Sequence, residues 1–546
     1  MLSLDISGAF DNVSHQRLLY ILRAKGCPDW LCRIVESFLS TRRTRIRFTG
    51  YESDWFQTGT GIPQGSPLSP ILFLFFISEL LEDHQRINGN TLAFGFIDDT
   101  NLITWGNSAR ENCQRLEAAH NRCIEWAERH GAVFAPEKYQ LIHFTRRRTR
   151  RGVEDSDLTS TVRISEKSIR PETELRVLGV QVDSKLTWKA HVTHTAQRGI
   201  AAFDALSRIT ASTWGPSVRR SRLLYTAIVR PTMLHGSAVW GMRDGGTTIP
   251  ETSLKPLKKI QNKCLKRIMG AYKRTPTAAL NRELSVPPLR IHLQASALTH
   301  YAKSADHPVV AKTSDTIDGV WRTLQNRSGQ GTRRRGRGRP SLIRTRPHSV
   351  VETGCQRAKE IIRMVRRETQ QRQGDRNTPQ QPIPTKSAVR KWADREWHKE
   401  WQSRAQNQMA SIWKGEWGED RLKLYDEVPK HVATALFLLR SEVIGLNAWL
   451  AGIGVPGIHP SCPCGWPTQT VRHVMIHCPK HEQVRLELFA RIHTQDLLGM
   501  LSTPTSARTA ARWLVARKLL PQFQFADEVE MEDLSGYAPF REMGEE

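Results

Sequence analysis

Leu2, Leu4 and Ile6 alternate with Ser3 and Asp5, which predicts a short strand over Met1 to Ile6 with Asp5 near its end. Asp11 and Ser14 then stand where a helix would be capped, ahead of Leu18, Leu19, Ile21 and Leu22. Thr44 to Phe48 and Trp55 to Thr58 predict strands around a Gly50 turn. Gly61 to Pro67 reads as a loop, with Pro67 suited to the first turn of a helix running to Leu81. Leu92 to Thr104 alternates around Asp98-Asp99 like a hairpin. Ser108 and Glu111 have capping-box spacing, and the helix they open carries Leu116, Cys123 and Ala127 on one face and stops at Gly131. Phe134 to Phe144 reads as loop and strand, and Leu175 to Val182 as one more strand.

From residue 190 to about 305 the apolar spacing turns helical. Leu223, Tyr225, Ile228 and Leu234 form one set; Leu257, Ile260, Cys264 and Ile268 form another, with Pro256 placed to start its helix. Residues 327–346 hold eight arginines and no acid, a low-complexity run expected to be disordered. Residues 370–386, rich in Gln, Pro and Arg, read as a second linker. Trp392, Trp397, Trp401, Trp413 and Trp417 fall in a helical tail, where core packing is a better account than base stacking.

Length and charge narrow the class. A chain of 546 residues exceeds one hydrophobic core, so several domains are expected. Its net charge of +26 makes nucleic acid the default partner, as it would for a basic binding protein with no chemistry. The longest apolar run, Leu68 to Ile77, is too short to span a bilayer. Of nine cysteines, six are scattered and three crowd at Cys462, Cys464 and Cys478, which fits a reducing, intracellular setting with one metal site.

Three carboxylates stand out: Asp5 at a strand end, and Asp98 with Asp99 at a hairpin tip. Adjacent acids repel, and a pair of Mg²⁺ ions roughly 3.5–4 Å apart would resolve that while serving phosphoryl transfer. Asp-Asp alone is better read as an ordinary turn.

The surrounding segments resemble the reverse transcriptase family. Leu4 to Val13 (LDISGAFDNV) is similar to its first palm motif, Gly61 to Pro70 (GIPQGSPLSP) to the next, and Phe96-Ile97-Asp98-Asp99 to its Phe/Tyr-Ala-Asp-Asp box with Ile for Ala. Phe134 to Lys138 and Leu178-Gly179-Val180 resemble two later motifs, in the same order. The wording, with Tyr225 to Trp240, resembles non-LTR (LINE-type) retrotransposons of fungi and insects.

The resemblance implies an RNA-directed DNA polymerase that copies an RNA template from a DNA primer or target with dNTPs. Asp5, Asp98 and Asp99 would hold two Mg²⁺, with the Ile6 carbonyl as a further ligand. Phe10 would exclude a 2′-hydroxyl, its alternative being a core Phe; Gln64 and Gly65 would touch nucleotide and template, their alternative being a plain turn. Lys138 would protonate or stabilise the leaving pyrophosphate, its alternative being a solvated lysine.

Cys462-Pro463-Cys464, His473 and Cys478 give C-x-C-x8-H-x4-C, a ligand set for one structural Zn²⁺. His477 and His481 are spare candidates. With Leu438-Leu439-Arg440 and Leu446-Asn447-Ala448, this segment resembles the C-terminal knuckle of the same retrotransposons. Arg333, Arg334, Arg335, Arg337 and Arg339 have three open readings: RNA affinity, a nuclear-localisation patch, or a solvated linker.

The expected architecture is α+β. A palm of antiparallel sheet and helices spans 1–190, and a helical thumb 191–305. A basic disordered linker follows at 306–390, a helical tail at 391–460, a zinc knuckle at 461–482 and a C-terminal tail at 483–546. The chain starts four residues before Asp5, so the fingers region, like the upstream endonuclease, is expected to be missing: an N-terminally truncated polymerase. Residues 305–440 show no Asp-Gly-Ser strand, and Asp318-Gly319 stands alone, so an RNase H domain is expected to be absent or eroded. The rival reading is an inactive remnant that only binds nucleic acid. The expected locations are nucleus and cytoplasm.

Overall fold

The computed structural model describes residues 1–87, 90–145, 156–211, 213–241, 249–329, 349–372, 384–405 and 421–523. It divides into two units, residues 1–191 and 192–546.

In the first unit, strand Leu2–Leu4 is the centre of a five-stranded sheet ordered Pro171–Glu172, Gln140–Ile142, Leu2–Leu4, Asp99–Thr104, Thr91–Phe96. All its neighbours are antiparallel except the edge pair of Pro171–Glu172 with Gln140–Ile142. Alternation sets the register: buried Leu2 faces Leu102 and Leu141, and Leu4 faces Thr100. Helices Leu68–Ile87 and Ala109–His130 belong to the core this sheet shares. The first buries Leu72, Phe73, Phe76, Ile77 and Leu80, which recur at helical spacing. The second buries Cys113, Leu116, Ala119, Cys123, Trp126 and Ala127. Phe76 meets the edge of Trp126 at 5.6 Å, and Trp126 stacks on His130 at 4.7 Å. Each large apolar side chain buried this way contributes about 1.5–3 kcal/mol.

Local expectations need correcting at four places. The Leu68 helix continues past Leu81 to Ile87. Ser108 and Glu111 do not form a capping box. The Asp157 carboxylate, 48 residues on, accepts from the Ala109 amide at 2.9 Å and from the Ser108 hydroxyl at 2.9 Å, and Glu111 pairs with Arg115 instead. A carboxylate at the helix's positive end satisfies the amides that a local cap would have taken. Leu175 to Val182 is not one strand but a hairpin, Glu174–Val177 with Val180–Asp183. Leu178 and Gly179 form its two-residue turn with φ of 47° and 80°, left-handed at both positions. Pro256 does not start its helix, which runs Glu251–Met269 with the proline inside. A proline there has no amide to offer the preceding turn.

The second unit is helical. Helix Leu289–Ser304 packs against Val350–Arg372 and Thr385–Ala405 through Ala297, Leu298, Tyr301, Ala358, Val365, Ala388 and Trp392. Helices Pro308–Gly329 and Val350–Arg372 therefore occupy most of the stretch expected to be a linker. Its apolar positions are diluted by Arg, Glu and Gln, which hid the period. Trp392 and Trp401 are buried, as core packing requires. Trp413, Trp417, the arginines 333–339 and the acidic end after 523 lie outside the described residues. Toward the C-terminus, Lys430–Ser441 is buried along its length and packs on Pro504–Ala516. Among the described residues no helix is long and apolar enough to cross a membrane.

Candidate active site and metal centre

The sheet register assembles the acids. Leu2 stands opposite Leu102, Ser3 opposite Asn101 and Leu4 opposite Thr100; the ladder stops one residue short of Asp5 and Asp99, close enough for the Asp5 charge to act on Asp99. Leu4 and Thr100 are buried, so by alternation the two carboxylates leave on the other face. Asp98 sits at the tip of the hairpin, in a two-residue loop with Ile97 that Phe96 and Asp99 close. Ile97 adopts φ 57°, a left-handed conformation that is costly for a β-branched residue, and its side chain packs on the core. Burial and the charges of Asp98 and Asp5 together raise the Asp99 carboxyl above its ordinary range.

A cavity of about 600 Å³ gathers Asp5, Ile6, Phe10, Gln64, Gly65, Asp98 and Lys138. Seven of the eight residues expected at the nucleotide and metal site thus line one space; Asp99 lies off its lining, next to Asp5. Lys138 ends the short turn Pro136–Lys138 and donates from Nζ to Asp5 Oδ2 at 2.8 Å. That hydrogen bond and the Asp5 charge raise the ammonium above its ordinary range. Phe10 stacks on core Phe73 at 5.3 Å and 26° while still lining the cavity.

Sequence reading missed how the two loops are stitched. Gln64 Nε2 donates to Asp11 Oδ1 at 3.2 Å, so Asp11 is not a helix cap; Ser14 alone caps, accepting from the Arg17 amide. The Gly61 amide donates to the Val13 carbonyl at 2.8 Å and the Ile62 amide to the Phe10 carbonyl at 2.8 Å. His15 Nε2 donates to the Gly61 carbonyl at 2.7 Å, and Ser69 Oγ to the Pro63 carbonyl at 2.6 Å. Gly61 has φ 83°, and a Cβ there would stand 2.7 Å from the Asp11 carbonyl oxygen. The signal for Asp11 was its place in the same motif as Asp5; nothing in one sequence shows that it faces Gln64.

Residues 1–182 match the family described as reverse transcriptase (RNA-dependent DNA polymerase). These residues make up a third of the chain. It is 28% identical over 310 residues to an RNA-directed DNA polymerase from mobile element jockey of Drosophila melanogaster, covering 56% of this chain and 32% of that protein. It is 26% identical over 286 residues to a probable RNA-directed DNA polymerase from transposon X-element of the same species, covering 52% and 30%. A putative 115 kDa protein in type-1 retrotransposable element R1DM, also from Drosophila melanogaster, matches at 27% over 300 residues, covering 55% and 28%. All three relatives are proteins of Drosophila mobile elements. The match spans about a third of the length of each.

In the second unit, Cys462, Cys464, His473 and Cys478 converge, with all four ligand atoms within 4.8 Å of one another. Cys462 Sγ lies 3.9 Å from Cys478 Sγ, and Cys464 Sγ 3.2 Å from His473 Nε2. Tetrahedral bonds of about 2.3 Å require edges of roughly 3.8 Å between thiolates, so the four fit one Zn²⁺. The loop is prepared locally. The Gly465 amide donates to the Cys462 carbonyl at 2.9 Å with Gly465 at φ 94°, and the Cys462 amide donates to the Trp466 carbonyl at 2.9 Å. Asn447 Nδ2 donates to the Ser461 carbonyl and Arg485 Nη1 to the Cys478 carbonyl, fixing both ends. His477 and His481 are not part of the cluster.

Proposed function

We propose that the chain is an RNA-directed DNA polymerase of a non-LTR retrotransposon, extending a DNA primer with dNTPs on an RNA template. The observation that supports this reading is the cavity that gathers Asp5 and Asp98 with Phe10, Gln64 and Lys138, with Asp99 near enough for its carboxyl to feel the Asp5 charge. Asp5, Asp98 and Asp99 would hold two Mg²⁺, with the Ile6 carbonyl alongside; a cluster of three acids is the donor set hard divalent cations take. When bound, such ions activate a 3′-hydroxyl and spread the charge of the departing triphosphate.

The remaining roles fall to the chain's own groups. The Phe10 ring, held by Phe73, is placed to exclude a 2′-hydroxyl. Gln64, tied to Asp11, orients the incoming nucleotide, and Gly65 (φ 93°) lets backbone approach it. Lys138 Nζ delivers a proton to the leaving pyrophosphate or stabilises its charge. The helical second unit supplies phosphate contacts to the duplex, and the arginines 333–339 add affinity for RNA. Cys462, Cys464, His473 and Cys478 hold one structural Zn²⁺ in a module that grips nucleic acid. Such a product meets its template and target in cytoplasm and nucleus.

Primer extension on poly(rA)/oligo(dT) with Mg²⁺ tests the reading against a D98A/D99A control. Incorporation that disappears in the control supports it. Incorporation no greater than the control would leave a nucleic-acid-binding remnant.

A further inference from the structure

Between the first two palm motifs the chain projects a ribbon. Arg43–Thr44 pairs with Phe56–Gln57 and Arg47–Phe48 with Tyr51–Glu52, turning at Gly50. Two strands alone are marginally stable in water, and this pair leaves Phe48, Tyr51, Trp55 and Phe56 exposed at 67%, 59%, 58% and 48%. Four aromatics held open on one small element mark an interaction surface.

Charge selects the partner. The ribbon carries Arg42, Arg43, Arg45 and Arg47 against Glu52 and Asp54. Arg45 is committed within it: its guanidinium lies 4.6 Å over the Trp55 ring and pairs with Glu52. Arg43 and Arg47 are exposed and have no ion-pair partner among the described residues. We propose that this ribbon binds a single-stranded stretch of nucleic acid, with Arg43 and Arg47 on phosphates and Phe48, Tyr51 and Trp55 stacking on unpaired bases. A duplex hides its base faces, so the aromatics select single strand, while the arginines account for a polyanion rather than an apolar protein. The proposal rests on the nucleic-acid partner inferred above, but it requires no catalysis.

The test is therefore binding of the full chain, without Mg²⁺ or dNTPs, to labelled U20, dT20 and a 20-base-pair duplex across a salt series. The variant R43Q/R47Q is expected to lower the single-strand salt slope by about 1.4, two released counterions. W55A is expected to weaken U20 and dT20 binding by roughly 5- to 150-fold with little effect on duplex, and W55F to restore most of it. Circular dichroism of each variant, matched to the parent, keeps a folding failure apart. Photo-crosslinking of 5-iodouracil-substituted U20 and dT20 is expected to label peptides within 42–58. Crosslinks only elsewhere, an unchanged salt slope, or equal loss on duplex and single strand would each overturn the proposal. So would a W55A effect on self-association with oligonucleotide binding intact. Equal behaviour of U20 and dT20 assigns the surface to either strand, and a preference assigns it to template RNA or to DNA.

Discussion

Lys138 Nζ lies 2.8 Å from Asp5 Oδ2, so the one cation among the described residues bonded to this carboxylate is a lysine from a neighbouring loop. The contact is exposed, at 61% for Lys138 and 36% for Asp5, and adds little to stability. Its weight falls on function. K138A is expected to lower the single-turnover rate of nucleotide addition by roughly 100-fold while the melting temperature stays that of the parent. Removing a competing positive charge should also lower the Mg²⁺ concentration needed for half-maximal rate. A rate within twofold of the parent would return Lys138 to the role of a solvated lysine.

Asp11 is expected to act through Gln64. D11A frees the amide that the carboxylate holds at 3.2 Å, and a hydrogen bond to a charged group contributes about 1.5–3 kcal/mol. The KM for dNTP should rise roughly tenfold or more, with a smaller change in kcat, because nucleotide placement is lost and the acids remain. Steady-state kinetics on poly(rA)/oligo(dT) separate the two. A fall in kcat alone would assign Asp11 to the metal cluster instead.

Gly61 joins the same two loops by backbone. G61A must hold φ near 83° and bring a methyl to 2.7 Å of the Asp11 carbonyl oxygen. Left-handed strain alone costs of order 1–3 kcal/mol, and the backbone contact forces the loops apart. A lower melting temperature together with a raised KM for dNTP is expected. An unchanged KM would mean that the loops are not held by this contact.

Chemistry was more legible in the sequence than packing was. Asp5, Asp98 and Asp99 stand out through the motifs around them, since Asp-Asp alone reads as an ordinary turn, and the cysteine spacing because three thiols crowd into 17 residues. Strand alternation was equally plain at Leu2 and Leu4, but the expected single strand breaks at Asp5, and Ile6 pairs with Phe134 in another sheet. What stayed hidden were partners distant in sequence. Asp157 caps a helix 48 residues earlier, and Gln64 reaches Asp11 across 53. Pairings of that kind depend on which surfaces meet, and one sequence records no such distances. The Leu178-Gly179 turn was missed because leucine disfavours the left-handed conformation that its neighbours impose. Helix Val350–Arg372 was missed because its buried face of Cys355, Ala358, Ile362 and Val365 is narrow amid charge.

Metal removal tests the C-terminal cluster. Roughly one equivalent of zinc per chain is expected on elemental analysis, and C478S should lose it, because a three-ligand site binds far more weakly. Cys478 is fully buried, so its loss also opens the loop that Arg485 anchors. Chelation should reduce hydrogen-exchange protection across 461–481 while leaving strand Leu2–Leu4 protected. Unchanged zinc content in C478S would reject the site.

Glu283 and Arg440 form a fully buried ion pair, with Nη2 to Oε1 at 2.8 Å and Nε to Oε2 at 2.9 Å, and the Tyr425 hydroxyl also bonds the carboxylate. Burial by itself would raise the Glu283 carboxyl; the Arg440 guanidinium, with Tyr425 and Arg421, holds it below its ordinary value near 4.5. A depressed carboxylate binds fewer protons folded than unfolded. Its contribution is therefore present in full above about pH 4.5 and is lost as pH falls through the lower folded value. E283Q leaves Arg440 buried without its counter-charge and should cost about 3–5 kcal/mol at pH 7. It should also flatten the acid dependence below pH 4.5. The double variant E283L/R440M, which removes both charges, should lose much less than either single change. Hydrogen exchange of the Lys430–Ser441 amides, followed from pH 7 down through that lower folded value, reads all three. Protection in E283Q equal to the parent would show that this pair does not hold the helix in place.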